Sequence, residues 1–217
     1  MKLKNGGWSF GGNLPNKFEN HITKSVPHYL EGHQMIVRLS DYFLKERSVC
    51  YDIGCSTGNL LKKISAYSSK EKIKLIGIEK EKKMYNYAKS QINNKKIKLL
   101  NKDFKGIKLV KSDMIISYYT IQFIAPSIRQ SILNKIFKSL NWGGAFIMFE
   151  KIRGNDARFH DILNSLYLDF KEDNRLNTQH IINKSKSLRG ILEPFSDQGN
   201  LGLIKRAGFK DIQTIMQ

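Results

Sequence analysis

Short apolar runs alternate with stretches of helical periodicity through most of the chain, and this alternation restricts the fold more than any other feature. The runs have the length of buried strands, and the stretches between them repeat apolar residues every three or four positions. Between the last two runs, Pro126 is predicted to begin a helix that the glycines of NWGG (141–144) end. Alternating strands and helices form a mostly parallel, twisted sheet with helices on both faces. We predict such a Rossmann-like α/β fold, with strands at residues 48–53, 74–79, 97–103, 113–119 and 145–150.

The two ends of the chain are less regular. Residues 1–30 are irregular, with scattered Gly and His, and an amphipathic helix follows around Met35–Phe43. We therefore expect an N-terminal cap segment at 1–45 and a Rossmann-like domain at 46–217, which together make one structural unit. Residues 210–217 are predicted to form a sixth strand. No pattern for a final strand follows it, so we expect the last strand to be missing.

The charge and the cysteines indicate a cytoplasmic protein without a membrane span. The formal charge is +18, from 37 Lys and Arg against 19 Asp and Glu. The lysine runs mix with Glu and Asn around short strands, which favours a solvated outer surface over a nucleic-acid site. No stretch of eighteen uninterrupted apolar residues and no signal-peptide pattern occurs. Cys50 and Cys55, the two cysteines, make no disulfide framework, so a reducing compartment is expected.

The stretch SVCYDIGCSTGNLL (48–61) joins the first strand to a helix through two glycines. In an open parallel sheet, ligands bind where such loops leave the carboxyl ends of the strands. Gly54 allows a tight turn close to a ligand, and Gly58 lets the helix start near the sheet. Because the spacing is not G-x-G-x-x-G, the glycines alone do not predict a dinucleotide site.

Acidic residues end three successive strands, and they narrow the choice of ligand. Asp52 precedes the first glycine and is placed to meet a cationic amine, Glu79 to accept hydrogen bonds from two ribose hydroxyls, and Asp103 to lie near an adenine amino group. Three acids suit a nucleoside with a zwitterionic amino-acid tail and repel a pyrophosphate. This pattern predicts S-adenosyl-L-methionine (SAM) as the cofactor.

The chain resembles class I SAM-dependent methyltransferases, and more closely the bacterial carboxy-S-adenosyl-L-methionine synthase family, which serves tRNA wobble-uridine modification. The likeness spans roughly residues 18–210. It is carried by the following motifs: SVPHY (25–29), YDIGCSTG (51–58), YYTIQF (118–123), RQSILNKIFKSLNWGGA (129–145), FEK (149–151), LDFK (168–171) and KRAGF (205–209). With Asp52 and Gly58, the resemblance implies these cofactor-binding residues: Tyr29, Gly54, Cys55, Ser56, Glu79, Lys80, Asp103, Phe104 and Tyr118.

Two positions depart from the family pattern. Tyr118 stands where the family has an asparagine, and Leu203 stands where it has an arginine. The resemblance implies that this arginine pairs with the extra carboxylate of the carboxylated cofactor. Its replacement by leucine favours plain SAM and ordinary methyl transfer.

Three functions remain open from the sequence. The first is a SAM-dependent methyltransferase for a small-molecule or anionic acceptor, with Tyr118, Tyr119 and Glu150 as weak catalytic candidates and no metal. Arg153, Arg158 and Arg189 would suit an anionic substrate. The second is a carboxy-SAM synthase with a prephenate-type donor, and the third is a non-catalytic nucleotide- or RNA-binding module. A homodimer is consistent with the resemblance.

Overall fold

A parallel sheet forms the centre of the computed structural model, which describes residues 14–217. Its five strands lie in the order β3–β2–β1–β4–β5, and each pairs in parallel with its neighbours. The strands are β1 (Val49–Ile53), β2 (Lys74–Ile78), β3 (Ile97–Leu100), β4 (Ser112–Tyr118) and β5 (Leu140–Phe149). The predicted Rossmann-like α/β fold is confirmed.

Eight α-helices flank or extend the sheet in the described part of the chain. They are α1 (Leu14–Ser25), α2 (Tyr29–Phe43), α3 (Asn59–Tyr67), α4 (Lys82–Gln91), α5 (Pro126–Ser139), α6 (Ala157–Asp173), α7 (Thr178–Ser187) and α8 (Asp197–Ala207). Short 3-10 turns lie at Phe104–Gly106 and Ile121–Phe123. Within residues 14–217, no helix combines the length and apolar character that a membrane crossing requires.

Two apolar clusters cover the opposite faces of the sheet. Successive strand residues point to opposite faces, so Met114 and Ile116 pack with one cluster and Ile115 with the other. The first cluster includes Ile36 of α2, and the second includes Leu133 of α5. Both faces are thus buried, which explains why the strand sequences are almost continuously apolar.

Two sequence predictions about the start of the chain and the α5–β5 junction were wrong. Residues 14–25 form helix α1, and only residues 1–13 of the expected irregular segment lie outside the described residues. At the junction, α5 ends at Ser139 and β5 begins at once, so NWGG belongs to the strand. Ser112 pairs with Leu140 and Met114 with Ala145, so residues 141–144 of β5 lie opposite a single residue of β4. Gly143, in this register shift, adopts a φ of 76°.

The predicted sixth strand is also wrong. Residues 208–217 have no strand or helix structure. Met216 packs against the apolar cluster that contains Ile36, and residues 211–217 line the cavity described below. No strand pairs with this segment in the described chain. Packing of side chains such as Met216 holds it instead.

Candidate active site

A cavity of about 1380 Å³ opens at the carboxyl ends of the strands. β1 and β4 are neighbours in the sheet, and the chain leaves them toward opposite edges, which is the usual binding point of a doubly wound fold. Of the predicted cofactor-binding residues, all except Gly58 line this cavity. The candidates Tyr119 and Glu150 line it as well.

The loop after β1 bends sharply at Gly54. The residue has a φ of 73°, and a Cβ atom there would lie 2.5 Å from Thr120 Oγ1. The N–H groups of Gly54 and Cys55 donate to the Ile78 carbonyl, at 2.8 and 3.1 Å. Glycine is therefore required for both its backbone conformation and its lack of a side chain.

Gly58 serves the packing of α3. It has a φ of 72°, and a Cβ atom there would lie 2.5 Å from Ile92 Cδ1. The sequence argument expected a close approach to the sheet, whereas the atoms nearest to Gly58 belong to Ala88 and Ile92, in and directly after α4. The residue is not part of the cavity wall, so direct contact with a cofactor, which its place among the cofactor-binding residues implied, is not supported.

Asp52 is a buried carboxylate that faces the cavity without a partner. Its side chain is 2% exposed, and no group in the described chain donates a hydrogen bond to it. Burial, and next the charge of Glu79, raise the pKa of Asp52 to about 7. An ionised carboxylate in such a place is costly unless a cation pairs with it. Asp52 therefore fits the ammonium group of an amino-acid tail.

Glu79 ties the first two loops together at the end of β2. Its Oε2 accepts the N–H of Ser56 at 3.0 Å, and its Oε1 accepts the N–H of Glu81 at 2.8 Å. Each carboxylate oxygen keeps a second lone pair. Burial raises the pKa of Glu79, and the two backbone donors oppose that rise. Its free lone pairs suit two adjacent hydroxyl groups.

Ser56 supplies a further test of whether SAM fits. Its Oγ is buried and has no hydrogen-bond partner in the described part of the molecule. The backbone there is left-handed, with a φ of 52°. A buried hydroxyl without a partner, beside the unpaired Asp52, indicates a polar ligand that completes both. The residues present thus fit the tail and ribose of SAM.

The adenine end is more open. Asp103 is exposed, and its Oδ1 accepts the N–H of Lys105 at 2.9 Å, which fixes the turn that begins at Phe104. The Phe104 ring is 6% exposed and lies under Lys135 Nζ, 4.6 Å from the ring centroid. The exposed Lys80 completes this part of the cavity wall. The binding roles of these three residues stay predictions.

An aromatic cluster closes the cavity beneath the cap helices. The Tyr118 hydroxyl donates to the Tyr29 carbonyl at 2.6 Å, and their ring centroids lie 5.1 Å apart. His33 and Phe149 pack against the same Tyr118 ring, at 4.8 and 5.1 Å. Burial raises the pKa of Tyr118 far above its ordinary value. Tyr118 therefore anchors α2 to β4, and its hydroxyl is poorly suited to act as a base.

Tyr119 directly follows β4, and Glu150 directly follows the neighbouring strand β5. Both Glu150 oxygens accept backbone N–H groups, from Ile121 at 2.9 Å and from Gln122 at 2.8 Å. Burial raises the pKa of Glu150 to about 8, although these donors and Arg129 favour the charged form. Glu150 thus holds the turn at Ile121–Phe123 in place. Burial, and next the charge of Glu150, raise the pKa of Tyr119 to about 12.

The part of the cavity wall formed by the loop after β5 and by α6 and α7 carries several basic residues and is called the basic end below; the sequence showed this feature only in part. Of the three arginines proposed for an anionic substrate, Arg153 and Arg189 line the cavity, and Arg158 does not. Sequence reasoning missed the lysines of this wall: Lys151, Lys171 and Lys184. The sequence did contain one indication of this basic wall. Tyr167 and Lys171 are four residues apart, so they share one face of a helix.

Leu203 lies away from the cavity wall. Its side chain is 6% exposed and packs in the apolar cluster between α5 and α8. Its carbonyl accepts a hydrogen bond from Gln130 Nε2 of α5 at 3.2 Å. The Leu203 side chain therefore points into the core and not toward the cavity.

Comparison with known proteins agrees with this geometry. Residues 50–144 match the model of a methyltransferase domain. The plantazolicin methyltransferase BpumL, whose structure contains S-adenosylhomocysteine (SAH), has the same fold, with a TM-score of 0.61 at 16% identity over 87% of this chain and 65% of that one. The protein is a class I SAM-dependent methyltransferase by fold and domain, and SAM is its cofactor.

Two curated relatives give the family. The carboxy-S-adenosyl-L-methionine synthase of Staphylococcus epidermidis is 38% identical over 95% of this chain and 91% of its own length. That of Campylobacter lari is 29% identical over 97% of this chain and 90% of its own length. The chain belongs to the carboxy-S-adenosyl-L-methionine synthase family.

Proposed function

We propose that this enzyme exchanges a hydrogen of the SAM methyl group for the carboxyl group of an anionic donor. The observation that carries the proposal is one continuous cavity that is lined both by Asp52 and Glu79, at the ends of β1 and β2, and by lysines of the loop after β5 and of α6 and α7. Its volume, about 1380 Å³, exceeds the roughly 300–1,000 Å³ of a pocket for one ligand. It suits SAM together with a second, negatively charged molecule.

The reaction is balanced without a base from the protein. The donor loses its carboxyl group and takes up the proton that leaves the methyl carbon, while a carbon–carbon bond forms between methyl and carboxyl carbons. When bound, SAM supplies a sulfonium centre that makes its methyl hydrogens acidic. The chain's task is then to bind, orient and shield the two molecules from water. This agrees with Tyr118 and Glu150, whose polar atoms already hold backbone groups.

The position of Leu203 weakens the main objection to this proposal. The resemblance implied that an arginine at this position selects the carboxylated cofactor, and its absence favoured plain methyl transfer. Leu203 is buried between α5 and α8 and is not part of the cavity wall, which supports the proposal that other residues decide which molecule the cavity accepts. The names of the curated relatives then support carboxyl transfer.

The second candidate is methyl transfer to an anionic small molecule. The methyltransferase domain and the basic end of the cavity favour it, because an anionic acceptor would occupy the same place as the donor. The two candidates differ in their products, which are SAH for methyl transfer and a heavier, carboxylated SAM for carboxyl transfer.

The test is mass spectrometry of reactions that contain the purified protein, SAM and prephenate, the donor type that the resemblance implies. We expect SAM to gain one carboxyl group in place of a hydrogen. The Asp52→Asn variant serves as a control that loses the product through weaker SAM binding. Accumulation of SAH in a screen of anionic acceptors, with no carboxylated SAM, would replace the proposal with the second candidate.

We also propose a homodimer in which α6 packs against α6 of a second copy. None of the α6 side chains is fully buried, and three apolar ones outside the cavity wall form an exposed stripe at helical spacing: Phe159, Ile162 and Leu166. Antiparallel pairing would place Arg158, near the start of the helix, beside Asp169 and Asp173 near the end of its copy. The surface is thus complementary to itself in shape and charge.

Light scattering after gel filtration tests the dimer. We expect the Leu166→Glu variant to be monomeric, while Trp142→Glu, at a fully exposed residue outside the stripe, keeps the mass of the parent protein. A parent protein that is monomeric at micromolar concentration would overturn this assignment.

The proposed location is the cytoplasm, which the two free, buried thiols support.

A further inference from the structure

Two lysines share one tyrosine ring at the basic end of the cavity. Lys151 follows the end of β5, and Tyr167 and Lys171 lie one turn apart on α6. The Nζ of Lys171 is 3.7 Å from the centroid of the Tyr167 ring, and the Nζ of Lys151 is 4.4 Å from it. All three residues line the cavity. We refer to them as the lysine–tyrosine cluster.

The cluster is positively charged and has no anionic partner in the described chain. No carboxylate of residues 14–217 lies within 4.0 Å of either lysine nitrogen. Positive charges act on both lysines: that of Arg153 lowers the pKa of Lys151, and those of Lys151 and Lys184 lower the pKa of Lys171. Burial, and then these like charges, lower the pKa of Lys171 to about 8. Partly buried cations that repel one another are stabilised when an anion joins them.

Aromatic residues connect the cluster to the SAM end. Burial, and next the nearby Tyr119, raise the pKa of Tyr167 to about 12. Tyr119 in turn stacks on Tyr29, with centroids 6.3 Å apart and an angle of 20° between the rings. A molecule held by the lysines would therefore lie against flat aromatic surfaces, and it would extend toward the carboxylates at the ends of β1 and β2.

We propose that Lys151, Tyr167 and Lys171 form the subsite that binds the carboxylate groups of the second substrate, with its unsaturated or aromatic body against Tyr119. This inference rests on the proposed function, because it assigns the subsite of the anionic molecule in the same cavity. Two separate ammonium groups suit two carboxylate groups of one dianion, since each lysine acts as a point charge. Contact with one ring holds both nitrogens in the same part of the cavity.

The test is calorimetric titration of phenylmalonate, an aromatic dicarboxylate, into the full-length protein saturated with SAH. Lys151→Met and Lys171→Met remove one charge each and keep most of the side-chain volume. Lys186→Met is the matched control, because Lys186 is an exposed lysine on α7 outside the cavity wall. The neutral phenylmalonamide is the matched ligand. SAH affinity is measured for every variant, as a check that the fold and the cofactor end are intact.

We expect each of the two cavity variants to weaken phenylmalonate binding about tenfold or more, since a charge-assisted hydrogen bond is lost. Lys186→Met should bind as the parent protein does, and phenylmalonamide should bind weakly to all of them. Equal phenylmalonate affinity in the parent, Lys151→Met and Lys171→Met proteins would overturn the subsite. Because no turnover is involved, this result is separate from the fate of the carboxyl-transfer proposal.

Discussion

The unpaired carboxylate of Asp52 makes cofactor binding dependent on pH. In the ligand-free protein, its pKa is raised to about 7, chiefly by burial and then by Glu79. A bound ammonium group favours the charged form, so binding must remove the proton that Asp52 carries at lower pH. With a free-protein pKa near 7, SAH affinity should fall about tenfold from pH 8 to pH 6. At pH 7, about half a proton should be released for each SAH bound.

Calorimetry measures both quantities. SAH is titrated at pH 6, 7 and 8, and at pH 7 in two buffers of different ionisation enthalpy, which gives the number of protons released. Asp52→Asn should bind weakly at pH 8 and lose most of the pH dependence. Glu79→Gln should move the transition to lower pH, because the repulsion that raises the Asp52 pKa is removed. Equal SAH affinity of the parent protein at pH 6 and pH 8 would refute the reasoning.

The same carboxylate links stability to pH with a defined sign. The pKa of Asp52 is higher in the folded, ligand-free protein than in the unfolded chain. Its contribution to stability is therefore complete below the unfolded value of 3.8 and is lost as the pH rises through about 7. Melting curves of the ligand-free protein should show this loss between about pH 4 and pH 7, and the stabilisation by SAH should be larger at pH 8 than at pH 6.

Three substitutions test other parts of the site. Gly54→Ala should lower the free energy of unfolding in urea by about 1–3 kcal/mol and weaken SAH binding, because it combines backbone strain with a clash against Thr120. The control is Gly143→Ala, which has a similar φ but lies in open space and should lower the free energy of unfolding by about 1 kcal/mol. Tyr118→Phe should cost about 1 kcal/mol of stability and leave turnover within a few-fold; loss of turnover at unchanged stability would make Tyr118 a catalytic residue. Leu203→Arg should cost about 3 kcal/mol or more, and Leu203→Met less than about 1.5 kcal/mol; a stable Leu203→Arg protein with a gain in affinity for carboxylated SAM would place the side chain in the cavity.

The acidic half of the site was predictable from the sequence, and the basic half was not. Asp52 and Glu79 follow adjacent parallel strands, so their meeting at one edge of the sheet is a consequence of topology. The lysine–tyrosine cluster depends on how α6 packs beside the end of β5, and local periodicity does not determine that contact. The predicted role of the Leu203 position stays a prediction, since an alignment gives a residue's place in the chain and not the direction of its side chain.

The errors in the fold have similar causes. Residues 14–25 place Leu14, Phe18 and Ile22 four residues apart, a helical pattern that the sequence analysis did not use, and the remaining residues are mostly polar, so the helix depends on contacts with the rest of the structure. Residues 210–217 have a strand-like sequence, but a strand also needs a hydrogen-bonding neighbour, and none pairs with them in the described chain. The glycines of NWGG resemble a helix stop, yet the chain uses one of them for a register shift.

Helix α1 has a kinetic consequence, because it contacts both α4, on the acidic side of the cavity, and α6, on the basic side. It is fastened to the loop after β1 by a hydrogen bond of 2.7 Å from Thr57 Oγ1 to Glu19 Oε1. We expect that a molecule leaving the cavity past α1 requires this hydrogen bond to break. In a Glu19→Ala variant, the dissociation rate of SAH should therefore rise by a larger factor than the association rate. Stopped-flow dilution measures the dissociation rate and would show whether α1 controls product release.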